Sequence, residues 1–564
     1  MKRYAILLFL LFIGVPVRAA ETPQAQAVAS AHPLATEAGM LILAAGGNAF
    51  DAAVAVSATL AVVEPGGSGL GGGGFWLLHR AEDNFQVLVD GRERAPLAAR
   101  ADMFLGKSGE VVPGLSQDGA LSTGIPGEPA ALTHIAERYG KLPLTRSLAP
   151  AIRLAREGFV VDEKLQRAIE ARRVALQASP AAAAVFLPQG KPLAAGDMLF
   201  QPDLARTLAR LAEEGAEGFY EDDTAEALLH GVEAAGGIWS RKDLKSYRVI
   251  ERTPLVLEYR GMRIVTAPPP SSGGVVMGIA LNVLGGYDWN RLSSADRRHV
   301  SVEAMRRAYR DRAEYLGDPE FAPLPLQLLS PGYANGLRAS IRMQKATPSG
   351  HLSTFSGARS GEGGNTTHFS IIDTVGNRVA ATLSINLPLG SGFMPPGTGV
   401  LLNNEMDDFA IRPQTPNAYG LVGGVANAVA PGKRMLSSMS PTFVEAPERI
   451  AILGTPGGSR IISMVLGSIL AFADGVDAKT MVSQPRLHHQ YLPDEVVYED
   501  GALSNAEQAV LIERGHRLRR IEAYGNLQAI VWDRAQNRVE AASDPRGIGQ
   551  ARVQAVAPAA LPPR

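Results

Sequence analysis

The stretch GEGGNTTHFSIID, residues 361–373, joins a polar, glycine-rich linker to a segment with the residue preferences of a buried strand. Thr366 stands at the junction and carries a hydroxyl group. If this hydroxyl attacked the carbonyl carbon of Asn365, an ester would form, and its hydrolysis would leave Thr366 as a new N-terminus. The new α-amine, whose ordinary pKa is about 7.7–8.0, could then act as a base toward the hydroxyl of the same residue. A threonine that begins a strand is also common for structural reasons, so both interpretations stay open on this motif alone.

The sequence after Thr366 predicts a strand-rich half of the chain. A strand at 368–373, a turn at Gly376-Asn377 and a returning strand at 378–385 have the pattern of an antiparallel hairpin. Further strands are predicted at 442–444, 450–453 and 529–532, and helices at 461–472 and 506–514.

The sequence before Thr366 is predicted to be mainly helical. Two alanine-rich helical pieces fill 34–63 with a break at Gly46-Gly47, and Asn48 and Asp51 are possible caps of the second piece. A glycine-rich run at 66–74 leads into strands at 75–78 and 85–89. Further helices are predicted at 129–139, 148–157, 204–215, 224–235, 275–284 and 301–316, the last with its charges on one side. Residues 20–33 are expected to be loose, and 340–365 to form an exposed linker. This mixture predicts an α+β or layered α/β/α architecture.

The composition limits the classes of function. The 564 residues include 55 Lys+Arg and 56 Asp+Glu, a formal charge of -1, which argues against electrostatic binding to nucleic acid or to an anionic membrane surface. The hydrophobic fraction of 46% argues against wholesale disorder. The absence of cysteine excludes disulfides, zinc–thiolate sites and a cysteine nucleophile.

The N-terminus has the layout of a secretory signal peptide. Lys2-Arg3 is followed by an apolar run at 4–15 and by small residues at Ala19-Ala20. The run is shorter than the roughly 20 residues that a spanning helix needs, although an uncleaved anchor is the alternative. We expect a signal peptide at 1–19 and export to the periplasm or beyond, which a cysteine-free chain suits.

Several other motifs do not carry a function. Residues 69–74 match G-x-G-x-x-G, but they follow a helix and open a strand, whereas a dinucleotide site needs the reverse order. His488 and His489 would face opposite sides of a strand, so we expect neither a metal site nor a cofactor. A Ser-His-Asp triad stays open, although no G-x-S-x-G motif is present. Ser437 and Ser438 could be nucleophiles, turn hydroxyls or ligand donors.

Longer segments carry a resemblance to a known family. They are NTTHFS (365–370), LLNNEMDDF (401–409), PGKRMLSSMSPT (431–442), GTPGGSR (454–460), the glycines at 71–74, PPPSSGG (268–274) and YLGDP (315–319). In this order they resemble the γ-glutamyltranspeptidases, or glutathione hydrolases, over nearly the whole mature chain. The resemblance implies the four-layer αββα fold of N-terminal nucleophile hydrolases. It also implies a precursor that cuts itself between Asn365 and Thr366 into a large subunit, 20–365, and a small subunit, 366–564, which stay interlocked.

The resemblance assigns the catalytic residues. Thr366 matches the nucleophile that attacks the γ-carbonyl of a donor such as glutathione. Gly457 and Gly458 match the glycines whose backbone N–H groups form the oxyanion hole, where the backbone must come close to the tetrahedral oxygen. Ser384 stands where many members have a threonine whose hydroxyl bonds to the nucleophile, so the hydroxyl is kept and a methyl group is lost.

The resemblance also assigns the residues that hold the donor. Arg92 matches the arginine for the α-carboxylate, with a guanidinium fork that fits a carboxylate. The remaining matches are hydroxyl donors to that carboxylate and acceptors for the α-ammonium: Ser437, Ser438, Asn386, Glu405 and Asp408. We expect the two acids to stand opposite the arginine. Tyr419 lies in the segment 413–424, which matches a lid over the donor.

The first interpretation is therefore a self-processing γ-glutamyl transferase and hydrolase that acts on glutathione and other γ-glutamyl compounds, with water, amino acids or peptides as acceptors. The same fold also serves glutaryl-cephalosporin acylases, but an acyl group without an ammonium needs no paired acids, so Glu405 and Asp408 favour γ-glutamyl. A periplasmic protein that binds glutamyl ligands without turnover is the third alternative. Residues 386–390, with Leu387-Pro388, depart from some relatives and could alter the choice of acceptor.

Overall fold

The computed structural model describes residues 21–352 and 366–555, which contain two large β-sheets and several groups of helices. The strands are β1 (Ala25–Ser30), β2 (Gly73–Arg80), β3 (Phe85–Gly91), β4 (Phe159–Val160), β5 (Met198–Leu199), β6 (Ile250–Arg252), β7 (Leu255–Tyr259), β8 (Met262–Thr266), β9 (Thr367–Ile372), β10 (Arg378–Ser384), β11 (Thr442–Glu445), β12 (Arg449–Gly454), β13 (Leu487–His488), β14 (Val496–Tyr498), β15 (Leu518–Arg520), β16 (Gln528–Asp533), β17 (Arg538–Ser543) and β18 (Gln550–Ala555).

The α-helices are α1 (Pro33–Ala44), α2 (Ala49–Val63), α3 (Glu128–Tyr139), α4 (Leu144–Glu157), α5 (Glu163–Ala171), α6 (Arg173–Gln177), α7 (Pro180–Phe186), α8 (Pro202–Glu214), α9 (Glu217–Tyr220), α10 (Asp223–Ala234), α11 (Arg241–Lys245), α12 (Gly273–Leu284), α13 (Ser294–Tyr315), α14 (Pro331–Ala339), α15 (Ile461–Ala473), α16 (Ala478–Ser483) and α17 (Asn505–Glu513).

The two large sheets take strands from both sides of Thr366. One sheet has seven strands in the order β18-β1-β9-β10-β2-β3-β6, and the other has six in the order β17-β16-β12-β11-β8-β7. Strand β1 lies between β9 and β18, β10 pairs with β2, and β11 pairs with β8, all antiparallel. Residues before 353 and after 365 therefore hydrogen-bond to each other within both sheets.

The first sheet packs on both of its faces, because the side chains along each strand alternate between the two faces. Val28, Trp76 and Leu78 belong to a core shared with helices α1–α4, whereas Phe75 and Leu77 belong to a core shared with the second sheet. Because neighbouring strand residues face opposite sides, one strand can serve both cores. Helices α12, α13 and α15 cover the other side of the second sheet. The chain has the αββα fold expected of an N-terminal nucleophile hydrolase.

Local signals in the sequence explain most of these elements. Helix α2 begins with a capping box, in which the Asn48 side chain accepts from the backbone N–H of Asp51 and Asp51 accepts from that of Asn48. The turn between β9 and β10 is fixed by Asp373, whose Oδ1 accepts three backbone N–H groups of residues 375–377. The hairpin and the helices and strands predicted from the sequence are confirmed, with ends that move by a few residues.

Two segments differ from expectation. The loose segment expected at 20–33 contains β1, which is fully buried between two strands that are distant in sequence. Of the linker expected at 340–365, only 340–352 is described, and it is anchored rather than wholly exposed. Thr347 N donates to Glu303 at 3.0 Å and Ser349 Oγ accepts from Arg306 at 2.6 Å.

The same contacts explain the charges of α13. Glu303, Arg306 and Arg307 do lie on one side of this helix, but that side is buried instead of facing solvent. The charges are buried as ion pairs, which offsets much of the cost of removing them from water. Among the described residues, no helix combines the length and apolarity that a membrane span requires. The predicted signal peptide at 1–19 and Asn365 lie outside the described residues.

Candidate active site

Thr366 is placed by the hairpin that follows it. The register of β9 and β10 pairs Thr367 with Leu383, so Thr366 stands across from Ser384 at the end of the ladder. The Thr366 hydroxyl donates to Ser384 Oγ at 3.4 Å, and this oxygen also accepts from the backbone N–H of Asn386 at 2.8 Å. Thr366 is buried, with 4% of its surface exposed. A hairpin readable from the sequence thus brings the two predicted hydroxyls together.

Gly457 and Gly458 form the turn between β12 and α15. Their φ angles are +143° and +56°, a region that favours glycine. A Cβ atom on Gly458 would lie 2.5 Å from the Tyr419 ring, and one on Gly457 would lie 2.5 Å from Met464 Cε. Helix α15 starts three residues later, and the N-terminal end of a helix favours negative charge. Conformation and packing both require glycine here, which suits a site for an oxyanion.

Arg92 is the centre of a buried cluster of charges just after β3. Its Nη1 lies 2.7 Å from Glu405 Oε2 and 3.5 Å from Glu93 Oε2, and its Nη2 donates to Asp408 Oδ2 at 2.6 Å. Its Nε donates to the Met435 carbonyl at 3.2 Å. Only 1% of Arg92 is exposed, so its geometry is set by these partners.

This cluster corrects one expectation. The two acids are expected to stand opposite the arginine, but in the structure the guanidinium contacts Glu405 and Asp408 directly. The physical reason is that buried charges are costly without counterions, and these side chains provide counterions for each other.

The pKa values reflect burial and this pairing. Burial raises the pKa of Glu93 well above its ordinary value, with a further contribution from Glu405. Burial also raises the pKa of Glu405 to about 7, although Arg92 and a hydrogen bond with Ser384 act to lower it. Burial acts to lower the pKa of Arg92, but the surrounding carboxylates outweigh it and raise the pKa. Ser384 therefore connects the Thr366 hydroxyl to the charge cluster.

Ser437 and Ser438 are held by the turn before α12. The carbonyl of Ser437 accepts from both the N–H and the hydroxyl of Ser272 at 2.7 Å, and Ser437 N donates to the Pro270 carbonyl at 2.8 Å. Ser438 Oγ accepts from Arg312 Nη2 at 3.4 Å. The match at 268–274 thus has a structural role in placing the two serines.

The segment 413–424 covers the site. The Tyr419 hydroxyl donates to the Asn386 carbonyl at 2.7 Å, and Asn417 Nδ2 donates to Asp408 Oδ1 at 3.1 Å. Asn386 has a φ of +72°, and its own Nδ2 donates to the Asn404 carbonyl.

These residues line one small cavity of about 20 Å³. It brings together ten of the predicted residues: Thr366, Ser384, Arg92, Asn386, Glu405, Asp408, Tyr419, Ser437, Ser438 and Gly458. Gly457 is adjacent to Gly458 in the turn. A larger cavity of about 430 Å³ borders α13 and α15 but holds none of the predicted residues. In the described parts of the chain, no cluster of three or more His, Asp or Glu residues could hold a metal ion.

Three charged residues next to the site were not predicted from the sequence. Glu93 directly follows Arg92, Arg312 precedes the matching segment YLGDP, and Glu64 directly follows α2. Arg312 is buried behind Ser438, and burial lowers its pKa, while Asp408 acts to raise it. Arg312 contacts Ser438 and Glu64 contacts Thr367, and only the tertiary structure shows these two contacts, because the partners are distant in sequence.

The chain is similar to known proteins over most of its length. The sequence model of the family described as gamma-glutamyltranspeptidase matches residues 35–554. The chain is 41% identical to a glutathione hydrolase proenzyme of Pseudomonas sp. (strain A14), over 92% of each chain. The structure of a cephalosporin acylase from Bacillus halodurans superposes with a TM-score of 0.82 at 27% identity, over 97% of this chain and 99% of that one. The gamma-glutamyltranspeptidase of Helicobacter pylori superposes with a TM-score of 0.56 at 39% identity, over 57% of this chain and 94% of that one.

Proposed function

The chain belongs to the γ-glutamyltranspeptidase family and is a γ-glutamyltransferase and glutathione hydrolase made as a proenzyme, and we propose that Thr366 is its nucleophile. The observation that carries this proposal is the convergence of Thr366, the glycine turn and the Arg92 cluster on one cavity. A nucleophilic hydroxyl, a place for an oxyanion and a buried site for a zwitterion are the three parts that acyl transfer from a γ-glutamyl donor needs.

The reaction has two acyl transfers. The Thr366 oxygen attacks the γ-carbonyl carbon, and the hydroxyl proton passes to the free α-amine of the same residue. The tetrahedral oxygen is stabilised by the backbone N–H groups of Gly457 and Gly458. When the bond to the leaving amine breaks, the ammonium returns its proton to that amine. Water or an acceptor amine then attacks the γ-glutamyl ester and regenerates the Thr366 hydroxyl, with the α-amine again carrying the proton.

Donor binding exchanges ion pairs. The donor α-carboxylate binds to the Arg92 guanidinium and to the hydroxyls of Ser437 and Ser438. The α-ammonium binds to Glu405, Asp408 and Asn386. Each buried charge then keeps a counterion, which a neutral ligand would not provide. The arrangement favours a free glutamyl head with its γ end at Thr366.

Entry of the donor requires the cover over the site to move. The cavity of about 20 Å³ has room for about one water molecule, since roughly 10–15 Å³ holds one, whereas pockets for small ligands are roughly 300–1,000 Å³. Two side chains, Tyr419 and Asn417, connect the 413–424 segment to Asn386 and Asp408. We assign this segment as a lid whose bonds break when the donor enters.

The alternative function is that of an acylase acting on another amide, because a cephalosporin acylase has the same fold. The paired acids Glu405 and Asp408 favour γ-glutamyl over glutaryl groups. A binding protein without turnover would have no reason to split. A single unsplit band on a denaturing gel would indicate the binding protein. Release of glutamate from glutathione, measured with and without an acceptor dipeptide, distinguishes a γ-glutamyl enzyme from an acylase of another amide. Splitting without glutathione turnover would favour the acylase.

The two subunits and the location complete the proposal. The precursor is cut between Asn365 and Thr366 into 20–365 and 366–564, after removal of a signal peptide at 1–19. The alternation of early and late strands in both sheets supports subunits that stay interlocked. We place the mature protein in the periplasm or outside the cell, and cell fractionation with N-terminal sequencing of the large fragment tests this placement.

A further inference from the structure

The residue after the nucleophile is anchored to a buried carboxylate, that of Glu64. The Thr367 hydroxyl donates to Glu64 Oε2 at 2.6 Å, and the other carboxylate oxygen of Glu64 accepts from Lys164 Nζ at 2.5 Å. Thr367 is fully buried and Glu64 is 8% exposed. A hydrogen bond to a buried carboxylate is stronger than one between neutral groups.

This anchor lies on the face of β9 that looks away from the donor cavity. Phe369 and Ile371, which share the face of Thr367, pack in the core with α2. Ser370, two residues from His368 and on the face of Thr366, donates to the Ile452 carbonyl in the second sheet. Glu64 caps the C-terminal end of α2 on the Thr367 side. The Glu64–Thr367 bond thus fixes β9 without occupying the space where the donor binds.

The backbone between Glu64 and Thr366 is also closely packed. A Cβ atom on Gly67 would lie 3.3 Å from the Glu64 carboxyl carbon and 3.4 Å from the Thr366 carbonyl oxygen. Gly67 N donates to the Glu64 carbonyl at 2.8 Å. The turn that follows α2 therefore fits between the carboxylate and the backbone of the nucleophile.

We propose that Glu64 is a positioning residue that holds the mature nucleophile through the Thr367 hydroxyl. The inference rests on the proposed function, in which Thr366 becomes an N-terminus. In the precursor the chain continues on both sides of Thr366, but after cleavage it continues only into β9. Chain termini lose order unless contacts fix them, and the side-chain anchor next to Thr366 is the bond from Thr367 to Glu64.

The proposal predicts that loss of the anchor affects turnover more than self-cleavage. Misplacement of a reacting group by about 1 Å can cost up to roughly 100-fold in rate. We therefore expect Thr367→Val to lower kcat of the split enzyme by about 10- to 100-fold while KM for a γ-glutamyl anilide stays within about twofold, because the donor-binding residues lie on the other face. The rate of splitting should fall by a smaller factor than kcat.

The experiment is a double-mutant cycle on the split enzyme. Thr367→Val, Glu64→Gln and the double variant are compared with the unaltered chain, and Thr367→Ser tests rescue by a hydroxyl. If the Glu64–Thr367 bond positions the nucleophile, kcat of the double variant should be only slightly lower than kcat of Thr367→Val alone. Thr367→Ser should keep most of the kcat of the unaltered chain. Thr133→Val is the matched control, because this buried hydroxyl donates to the Pro129 carbonyl within α3 and should leave both rates unchanged.

Three outcomes would overturn the proposal: additive losses in the cycle, an unchanged kcat in Thr367→Val, or splitting that is blocked or slowed as much as turnover. The last outcome would mean that the anchor serves the fold of the precursor as much as the mature nucleophile. Failure of the proposed function is distinguishable, because it would appear as normal splitting or activity in Thr366→Ala.

Discussion

The guanidinium of Arg92 donates to Oδ2 of Asp408 at 2.6 Å, although the two residues are 316 positions apart in the chain. The residue proposed to hold the donor carboxylate is therefore already paired with a residue proposed to hold the donor ammonium. A zwitterion can replace this contact with two new ion pairs, whereas a ligand with one charge cannot. The contact makes donor selectivity depend on charge as much as on shape.

Replacing Arg92 with lysine should weaken donor binding. Lysine keeps the charge but loses the fork that contacts Glu405 and Asp408 together. We expect KM for a γ-glutamyl anilide to rise by roughly 30-fold, about 2 kcal/mol, as for the loss of a hydrogen bond between charged groups. Arg94→Lys is the matched control, because Arg94 donates to Ser246 outside the cavity. Unchanged kinetics in Arg92→Lys would refute the assignment.

Replacing Asp408 with asparagine should shift the enzyme toward glutaryl substrates. When a glutaryl carboxylate pairs with Arg92, Glu405 and Asp408 are left without a cation, because a glutaryl group has no ammonium. Asp408→Asn removes one of these two unpaired negative charges. The ratio of kcat/KM for a γ-glutamyl to a glutaryl anilide should fall. The same change at Asp407, which accepts from Ser116 and does not contact Arg92, should affect both substrates alike. If the ratio does not move in Asp408→Asn, Asp408 is not the ammonium partner.

Ser384 should act through its hydroxyl oxygen. It accepts from the Thr366 hydroxyl at 3.4 Å and is fixed by the N–H of Asn386. We expect Ser384→Ala to lower kcat by about 5- to 13-fold, since the loss of a neutral hydrogen bond is about 1–1.5 kcal/mol. Ser384→Thr keeps the oxygen and should retain activity. Equal kcat in the alanine variant would show that Thr366 needs no acceptor at this position.

Glu405 should give the enzyme a pH dependence near neutrality. Burial raises its pKa to about 7, and the donor ammonium needs the ionised form, so kcat/KM should fall as the pH drops below about 7. The α-amine of Thr366 must be neutral to act as a base and titrates at about 7.7–8.0 when unperturbed, so it also lowers activity at acid pH. Glu405→Gln should keep this fall and lose only the additional steepness below about pH 7. Since the folded state holds this proton more tightly than the unfolded state, the contribution of Glu405 to stability decreases as the pH rises from about 4.5 to about 7. An identical pH profile in Glu405→Gln would contradict the role.

The sequence was sufficient for the parts that depend on neighbours in the chain. The β9–β10 hairpin follows from a turn and two apolar segments, and it alone brings Thr366 to Ser384. It was not sufficient where strands pair across long distances. The segment of β1 is predicted to be loose because its own residues do not show a strand pattern. Its partner β18 lies at the other end of the chain, so the pairing cannot be predicted from neighbouring residues.

The charge cluster shows the same limit within the site. The resemblance gives each residue a role toward the donor, but it does not give the contacts that these residues make with each other. The pairing of Arg92 with Asp408 and the contact of Arg312 with Ser438 arise from packing between segments that are 316 and 126 residues apart. A buried charge is stabilised by a counterion close to it, and only the folded structure determines which residue provides that counterion.

The cut before Thr366 is the central claim, and N-terminal sequencing of the smaller fragment of the purified protein tests it most directly. We expect this fragment to begin Thr-Thr-His-Phe, and Thr366→Ala to stay as one chain without activity toward glutathione. An unsplit chain that turns over glutathione, or a small fragment that begins at another residue, would contradict it.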